Sequence, residues 1–167
     1  SPENKDKFMR EGLEYIKQIV NRRGSRDTKL LAICRFLNDK FIGFDWVGFY
    51  FSDNLKMELI LGPFIGDPTE HRNIPFGRGV CGRAAVSGTT VNVADVTAES
   101  NYLACSLEVR SEIVIPIFKS GQFVAELDID SHQSDRFGNS ERQFLEQVGQ
   151  IISVIFFFYS TIMLIKG

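Results

Sequence analysis

Apolar positions near the start of the chain recur at helical spacing. Phe8, Met9, Leu13, Ile16, Ile19 and Val20 fall on one face, which predicts a helix from Asn4 to Arg22. Asn21-Arg-Arg-Gly-Ser then breaks the pattern. A second helix, capped by Ser25 or Asp27, runs to Lys40 with Leu30, Leu31, Ile33, Cys34, Phe36 and Leu37 as its core stripe. Asp45 to Phe51 reads as an aromatic-rich strand, and Lys56 to Leu61 returns from a turn at Asp53-Asn54. Gly62 to Pro75 holds three prolines and two glycines and reads as a long loop.

Beyond it, Gly79 to Ser87 reads as a short helix with a glycine-rich entry, and Thr89 to Val93 as a short strand. Ala94 to Cys105 reads as a loop with a helical turn near its end. Ser111 to Phe118 and Gln122 to Asp130 form a hairpin across Lys119-Ser-Gly121, and Asn139 or Ser140 caps a last helix. Hairpin connections dominate this order. The expected class is therefore α+β, a largely antiparallel sheet with helices on its faces, in a single domain spanning 1–167.

Composition narrows the class without naming a function. The 167 residues are 44% hydrophobic and 24% charged, ordinary for a globular domain. The net charge is −2, and the one basic cluster, Arg22-Arg23-Gly-Ser-Arg26, reads as a solvated turn, so no nucleic-acid partner is expected. Three cysteines at irregular spacing argue against a disulfide framework and fit free thiols in a reducing cytoplasm. No secretory signal pattern opens the chain. Gln147 to Ile165 carries no charge and approaches the roughly 20 residues of a membrane span. Polar interruptions and the charged helix that precedes it favour a packed terminal helix, so no membrane association is expected. The helices over 1–22 and 139–165 are the expected seam of a homodimer. The end at Lys166-Gly167 leaves room for flanking sequence.

Acids on a core strand give the first chemical signal. Asp128 and Asp130 share one face of a strand that is otherwise apolar, and paired buried acids call for a cation, a ligand or a metal. Cys105 is a candidate reactive thiol, with a small buried residue as the plainer alternative. Cys81, in a tight turn, is open between packing and redox use, and Cys34 belongs to the core stripe. Glu112 either joins the acids or anchors a strand end. Trp46 and Tyr50 alternate along their strand and, on spacing alone, read as core aromatics. His71 and His132 raise a metal reading. No paired-histidine motif accompanies them, so loop histidines are expected, with no metal and no cofactor. Gly77-Arg-Gly-Val-Cys-Gly lacks the Lys-Ser/Thr ending of a phosphate loop and reads as turn geometry.

Taken in series, the motifs resemble one group of GAF domains, the free methionine-(R)-sulfoxide reductases. The resemblance runs from Asp45-Trp-Val-Gly-Phe-Tyr50 through Leu61-Gly-Pro-Phe64, Gly79-Val-Cys-Gly82, Asp95-Val96, Ala104-Cys105 and Ser111-Glu-Ile-Val to Leu127-Asp-Ile-Asp-Ser131. It implies a six-stranded, mostly antiparallel sheet. Terminal helices cover one face, and loops with short helices form a pocket on the other. It places Cys105 at the catalytic cysteine, Cys81 at a second family cysteine, and Glu112, Asp128 and Asp130 at the acids lining the substrate pocket. Asp130 stands among them as a catalytic acid. Trp46 and Tyr50 fall at the aromatic wall. The implied substrate is free methionine-(R)-sulfoxide, with thioredoxin or a small thiol as reductant.

One departure matters. The family carries a resolving cysteine in the loop before Gly-Arg-Gly, and here Gly66 to Pro75 has none, with His71 near the expected place. A non-catalytic GAF sensor for an amino-acid-like ligand is therefore the alternative function. A third reading is an interaction domain built on the first and last helices. Cyclic-nucleotide binding is disfavoured because no Asn-Lys pair stands where that class requires it.

Overall fold

The computed structural model of the chain describes residues 1–100, 102 and 107–157. Six strands form one antiparallel sheet in the order β3-β2-β1-β6-β5-β4. They are β1 (Trp46–Asp53), β2 (Glu58–Ile65), β3 (Asn73–Pro75), β4 (Val91–Val93), β5 (Ser111–Lys119) and β6 (Gln122–Ser131). Helices α1 (Pro2–Asn21), α2 (Arg26–Lys40) and α4 (Asn139–Ile152) contribute to the core on one face, and α3 (Gly79–Ser87) to the cluster on the other. The expected α+β class and helix placement hold.

Strand alternation sorts the two faces. Val47 and Phe49 of β1, Ile113, Ile115 and Ile117 of β5, and Ala125, Leu127 and Ile129 of β6 join the main core with Ile16, Ile19, Leu30, Ile33, Leu37, Phe144 and Val148. Trp46 and Tyr50, Val114, and the α3 residues Val80, Cys81 and Ala84 form a second cluster on the opposite face. Glu126, Asp128 and Asp130 alternate with the core residues of β6, so they belong to this second face and are buried there.

Local signals explain the helix ends. The Ser25 hydroxyl accepts the Thr28 N–H at 3.1 Å, which settles the α2 cap on Ser25. At α4 neither Asn139 nor Ser140 is the cap. The helix starts after Gly138, whose N–H donates to Glu141 Oε2 at 3.0 Å. Glu141 also pairs with Lys5 at 2.6 Å and Arg136 at 3.5 Å, which ties α1 to the start of α4.

Two expectations change. The stretch read as a loop from Gly62 to Pro75 contains the end of β2, which runs to Ile65, and all of β3. Pro63 misled the sequence reading because a strand proline is tolerated at a bulge. The β1–β2 register shifts between Gly48 and Tyr50, with Leu61 opposite Tyr50 and Phe64 opposite Gly48, and Pro63 lies within that irregularity. The helix expected over 139–165 ends at Ile152 and closes in a 3-10 turn at Ser153–Ile155. The β-branched run Ile151-Ile152-Ser-Val-Ile holds helix weakly, and Phe156 takes an extended backbone that buries its ring beside Phe51. The rest of the expected helix, 158–165, lies outside the described residues. Among the described residues no helix is long and apolar enough to cross a membrane.

Candidate functional site

Three neighbouring strands build an acid face. In the register of β1, β6 and β5, Asp130 lies between Trp46 and Glu112, Asp128 between Gly48 and Val114, and Glu126 between Tyr50 and Pro116. Glu112, Glu126, Asp128 and Asp130 are each 4% exposed or less, too dry a setting for four free carboxylates. Asp128 was expected here with Asp130 and Glu112. Glu126 was not, although its position two residues before Asp128 puts it on the same face.

Helix α3 closes over the acids and brings Cys81 with it. Its approach depends on Gly82, where an added Cβ would stand 2.7 Å from the Pro75 carbonyl oxygen. Cys81 Sγ lies 3.9 Å from Glu112 Oε2. Burial pushes the Cys81 thiol well up, and the charges of Asp128, Glu126, Glu112 and Asp130 push the same way. Burial also raises the Glu126 carboxyl well above its usual range, helped by Asp128 and opposed by the Cys81 thiol. Asp128 is raised by burial against hydrogen bonds from Glu112 and Cys81. Glu126 and Asp128 thus hold their protons where exposed carboxyls would have lost them. Neither Glu126 nor Asp128 joins an ion pair among the described residues.

Aromatic side chains fix the opposite wall. The Trp46 indole folds back over Gly48, where an added Cβ would meet Trp46 Cη2 at 2.4 Å. The ring stacks on Phe64 with centroids 5.4 Å apart and on Tyr50 at 6.4 Å. Trp46 Nε1 donates to the Asp67 carbonyl at 3.0 Å, and the Tyr50 hydroxyl donates to the His71 carbonyl at 2.9 Å. Both aromatics therefore anchor the 66–72 loop.

Tyr50, His71, Cys81, Glu112 and Asp128 line one cavity, together with Arg78 and the start of α3. Its free space is about 10 Å³, room for one water-sized body. Trp46 and Asp130 flank this cavity, Trp46 by stacking on Tyr50 and Asp130 as the cross-strand neighbour of Glu112. Cys105, the expected nucleophile, lies outside the described residues. His71 and His132 have different neighbours, because His132 approaches Asp45 and Glu108 at 3.7 Å each. Cys34 is buried in the helix-side core, as expected, and its thiol reaches the Pro63 carbonyl at 3.7 Å.

The GAF domain model matches residues 25–156. The chain belongs to the GAF domain family. This GAF domain is 43% identical to protein YtsP of Bacillus subtilis over 65% of this chain and 66% of that one, so it spans just under two thirds of that relative. It is 37% identical to the free methionine-R-sulfoxide reductase of Escherichia coli over 71% of each chain. Among solved structures, the free methionine-R-sulfoxide reductase of Neisseria meningitidis, in complex with its substrate, superposes with a TM-score of 0.84. The two are 38% identical, over 89% of this chain and 87% of that one. The GAF fold thus accounts for the sheet order, and the acid face sits on the side of the sheet opposite α1, α2 and α4.

Proposed function

We propose that this GAF domain reduces free methionine-(R)-sulfoxide to methionine. The observation that carries the reading is the acid face of Glu112, Asp128 and Asp130, dry and walled by Tyr50 beside Trp46. A buried carboxyl that keeps its proton can donate it, and the raised Asp128 supports that role for the Asp128–Asp130 pair. The remaining carboxylate charge, Glu112 included, pairs with the ammonium that only a free amino acid carries at this position. Tyr50 and Trp46 enclose the methyl sulfoxide end.

The step balances as follows. The Cys105 sulfur attacks the sulfoxide sulfur, the S–O bond breaks, and the oxygen leaves to the cysteine as a sulfenic acid while methionine departs. The thiol proton restores the acid that protonated the oxygen. A second thiol then condenses with the sulfenic acid, releasing water and a disulfide, which thioredoxin or a further small thiol reduces. Cys81 is a weak candidate for that second thiol, because burial and four acids hold its proton. Direct attack by the external reductant fits better. Methionine sulfoxide is far larger than the present free space, so its binding requires the cavity walls to part. A homodimer joined through α1, whose outer face exposes Phe8 and Tyr15, is part of the same proposal.

A coupled assay tests this reading, with NADPH, thioredoxin reductase, thioredoxin and free methionine-(R)-sulfoxide. Turnover is expected in the wild type and none in Cys105→Ser, and methionine formation in that variant overturns the assignment. A sensor that binds the amino acid without turnover is the second reading, favoured by His71 where a resolving cysteine is expected. Calorimetric binding of methionine sulfoxide with no NADPH oxidation, under either thioredoxin or a chemical dithiol, decides for it.

A further inference from the structure

We propose that Cys81, Glu112 and Asp128 form a binding site for a thiophilic divalent cation of the Zn²⁺ class. One ligand atom from each lies within 4.8 Å of the other two, and all three residues are buried. In tetrahedral Zn²⁺ geometry, with Zn–S about 2.3 Å and Zn–O about 2.0–2.2 Å, a sulfur and an oxygen ligand stand roughly 3.5 Å apart. Cys81 Sγ and Glu112 Oε2 stand 3.9 Å apart, so a small side-chain adjustment brings them into that geometry.

Two further observations point to a small cation. Glu126 is fully buried, and neither of its oxygens has a hydrogen-bond partner in good geometry. Its carboxyl nevertheless lies close enough to the Cys81 thiol for the two to interact. One Asp128 oxygen is likewise buried without a partner. Asp128 belongs to the ligand set, so a cation held at the thiol would give its unpartnered oxygen a counter-charge, with the Glu126 carboxyl close to the same thiol. The second observation is size. The cavity that Cys81, Glu112 and Asp128 line with Tyr50 and His71 has about 10 Å³ of free space, room for a single ion or water without the wall movement that an amino acid requires.

A thiolate with carboxylates selects Zn²⁺ over Mg²⁺ or Ca²⁺, which prefer oxygen donors alone. Binding replaces protons with the metal: the S–H bond of Cys81 breaks, its proton leaves to solvent, and no electron is transferred. Histidines are not part of the ligand set, although His71 lines the same cavity. Zn²⁺ and the ammonium of an amino acid call on the same carboxylates, so one excludes the other. The metal site does not depend on turnover.

Titration of the reduced, chelator-treated chain with Co²⁺ tests the site. The expected result is one Co²⁺ per chain with a thiolate-to-metal charge-transfer band that Zn²⁺ abolishes. Cys81→Ser removes the band, whereas Cys34→Ser and Cys105→Ser keep it. Glu112→Gln weakens Co²⁺ binding by about tenfold or more. Absence of the band in the wild type overturns the proposal, as does its survival in Cys81→Ser or its loss in Cys105→Ser. If circular dichroism finds Cys81→Ser unfolded, undiminished Co²⁺ affinity in Glu112→Gln overturns it instead. Turnover without Co²⁺ binding removes the metal site alone, and Co²⁺ binding without turnover removes the reductase reading alone.

Discussion

Cys81 Sγ sits 3.9 Å from Glu112 Oε2, inside a cluster of four buried acids. Burial and the charges of Asp128, Glu126, Glu112 and Asp130 all favour the protonated form of this thiol, and only the thiolate reacts. Iodoacetamide at pH 7.5 is therefore expected to modify Cys81 much more slowly than an exposed model thiol in the native protein. Burial is the leading cause and the acid charges come second. Asp128→Asn should accordingly speed alkylation only modestly, whereas unfolding in urea should speed it strongly. Mass-spectrometric peptide mapping over time reads both rates. Rapid native labelling of Cys81 would contradict the protonated, enclosed thiol.

The raised carboxyls also set a direction for stability against pH. Glu126 has an ordinary value of 4.5, and burial raises it well above that in the folded chain. From the ordinary value up to the raised one, the folded state keeps a proton that the unfolded state has released. Stability therefore falls as pH rises through that window, at about 1.4 kcal/mol per pH unit for each such group. Asp128 adds the same sign. Glu126→Gln removes one titrating group from the window, so its stability should fall less steeply between pH 5 and pH 8. Urea denaturation at several pH values measures the two slopes, and parallel slopes would count against a raised Glu126.

The main layers were legible because both periodicities are clean. Val47 and Phe49 against Trp46 and Tyr50, or Leu127 and Ile129 against Asp128 and Asp130, alternate without interruption, and α1 follows its apolar stripe. The acid pair could be placed on one face for the same reason. Glu126 obeys the same alternation in the middle of β6, so its place on the acid face was equally legible. Periodicity alone did not tell which side of the sheet α3 would cover; the family resemblance put the short helices on the pocket face, but not the contact of Cys81 with Glu112, 31 residues away. The β2 extension and β3 were hidden by Pro63 and the glycines around it. The end of α4 was hidden by an apolar run that reads equally well as helix and as extended chain.

Glu141 is expected to be a stability hub distant from the acid face. Burial raises its carboxyl, but the Lys5 hydrogen bond, the backbone and Arg136 outweigh that and hold it below the usual value of 4.5. Its contribution is therefore present above the ordinary value and is lost as pH falls through the lowered one. It also accepts the Gly138 N–H at the start of α4. Glu141→Ala should cost about 1–2 kcal/mol at pH 7, and the cost should shrink in acid. A loss that is equal at pH 7 and pH 3 would assign the effect to packing instead.

Gly48 lets the Trp46 indole lie flat against the sheet, and that contact gives the sharpest steric prediction. An alanine Cβ at position 48 would stand 2.4 Å from Trp46 Cη2 and 2.7 Å from Phe64 Cβ. Phe64 Cβ is fixed by its own strand, so the indole has to move. The movement breaks the Trp46 Nε1 bond to the Asp67 carbonyl and loosens the 66–72 loop that Tyr50 also holds. Gly48→Ala should destabilise the fold by about 1–3 kcal/mol through overpacking. Trp46 is the single tryptophan of the chain, so its fluorescence reports the site alone. The emission of the folded variant should shift to the red as the ring gains water. An unshifted spectrum with unchanged stability would mean that the indole does not pack over Gly48.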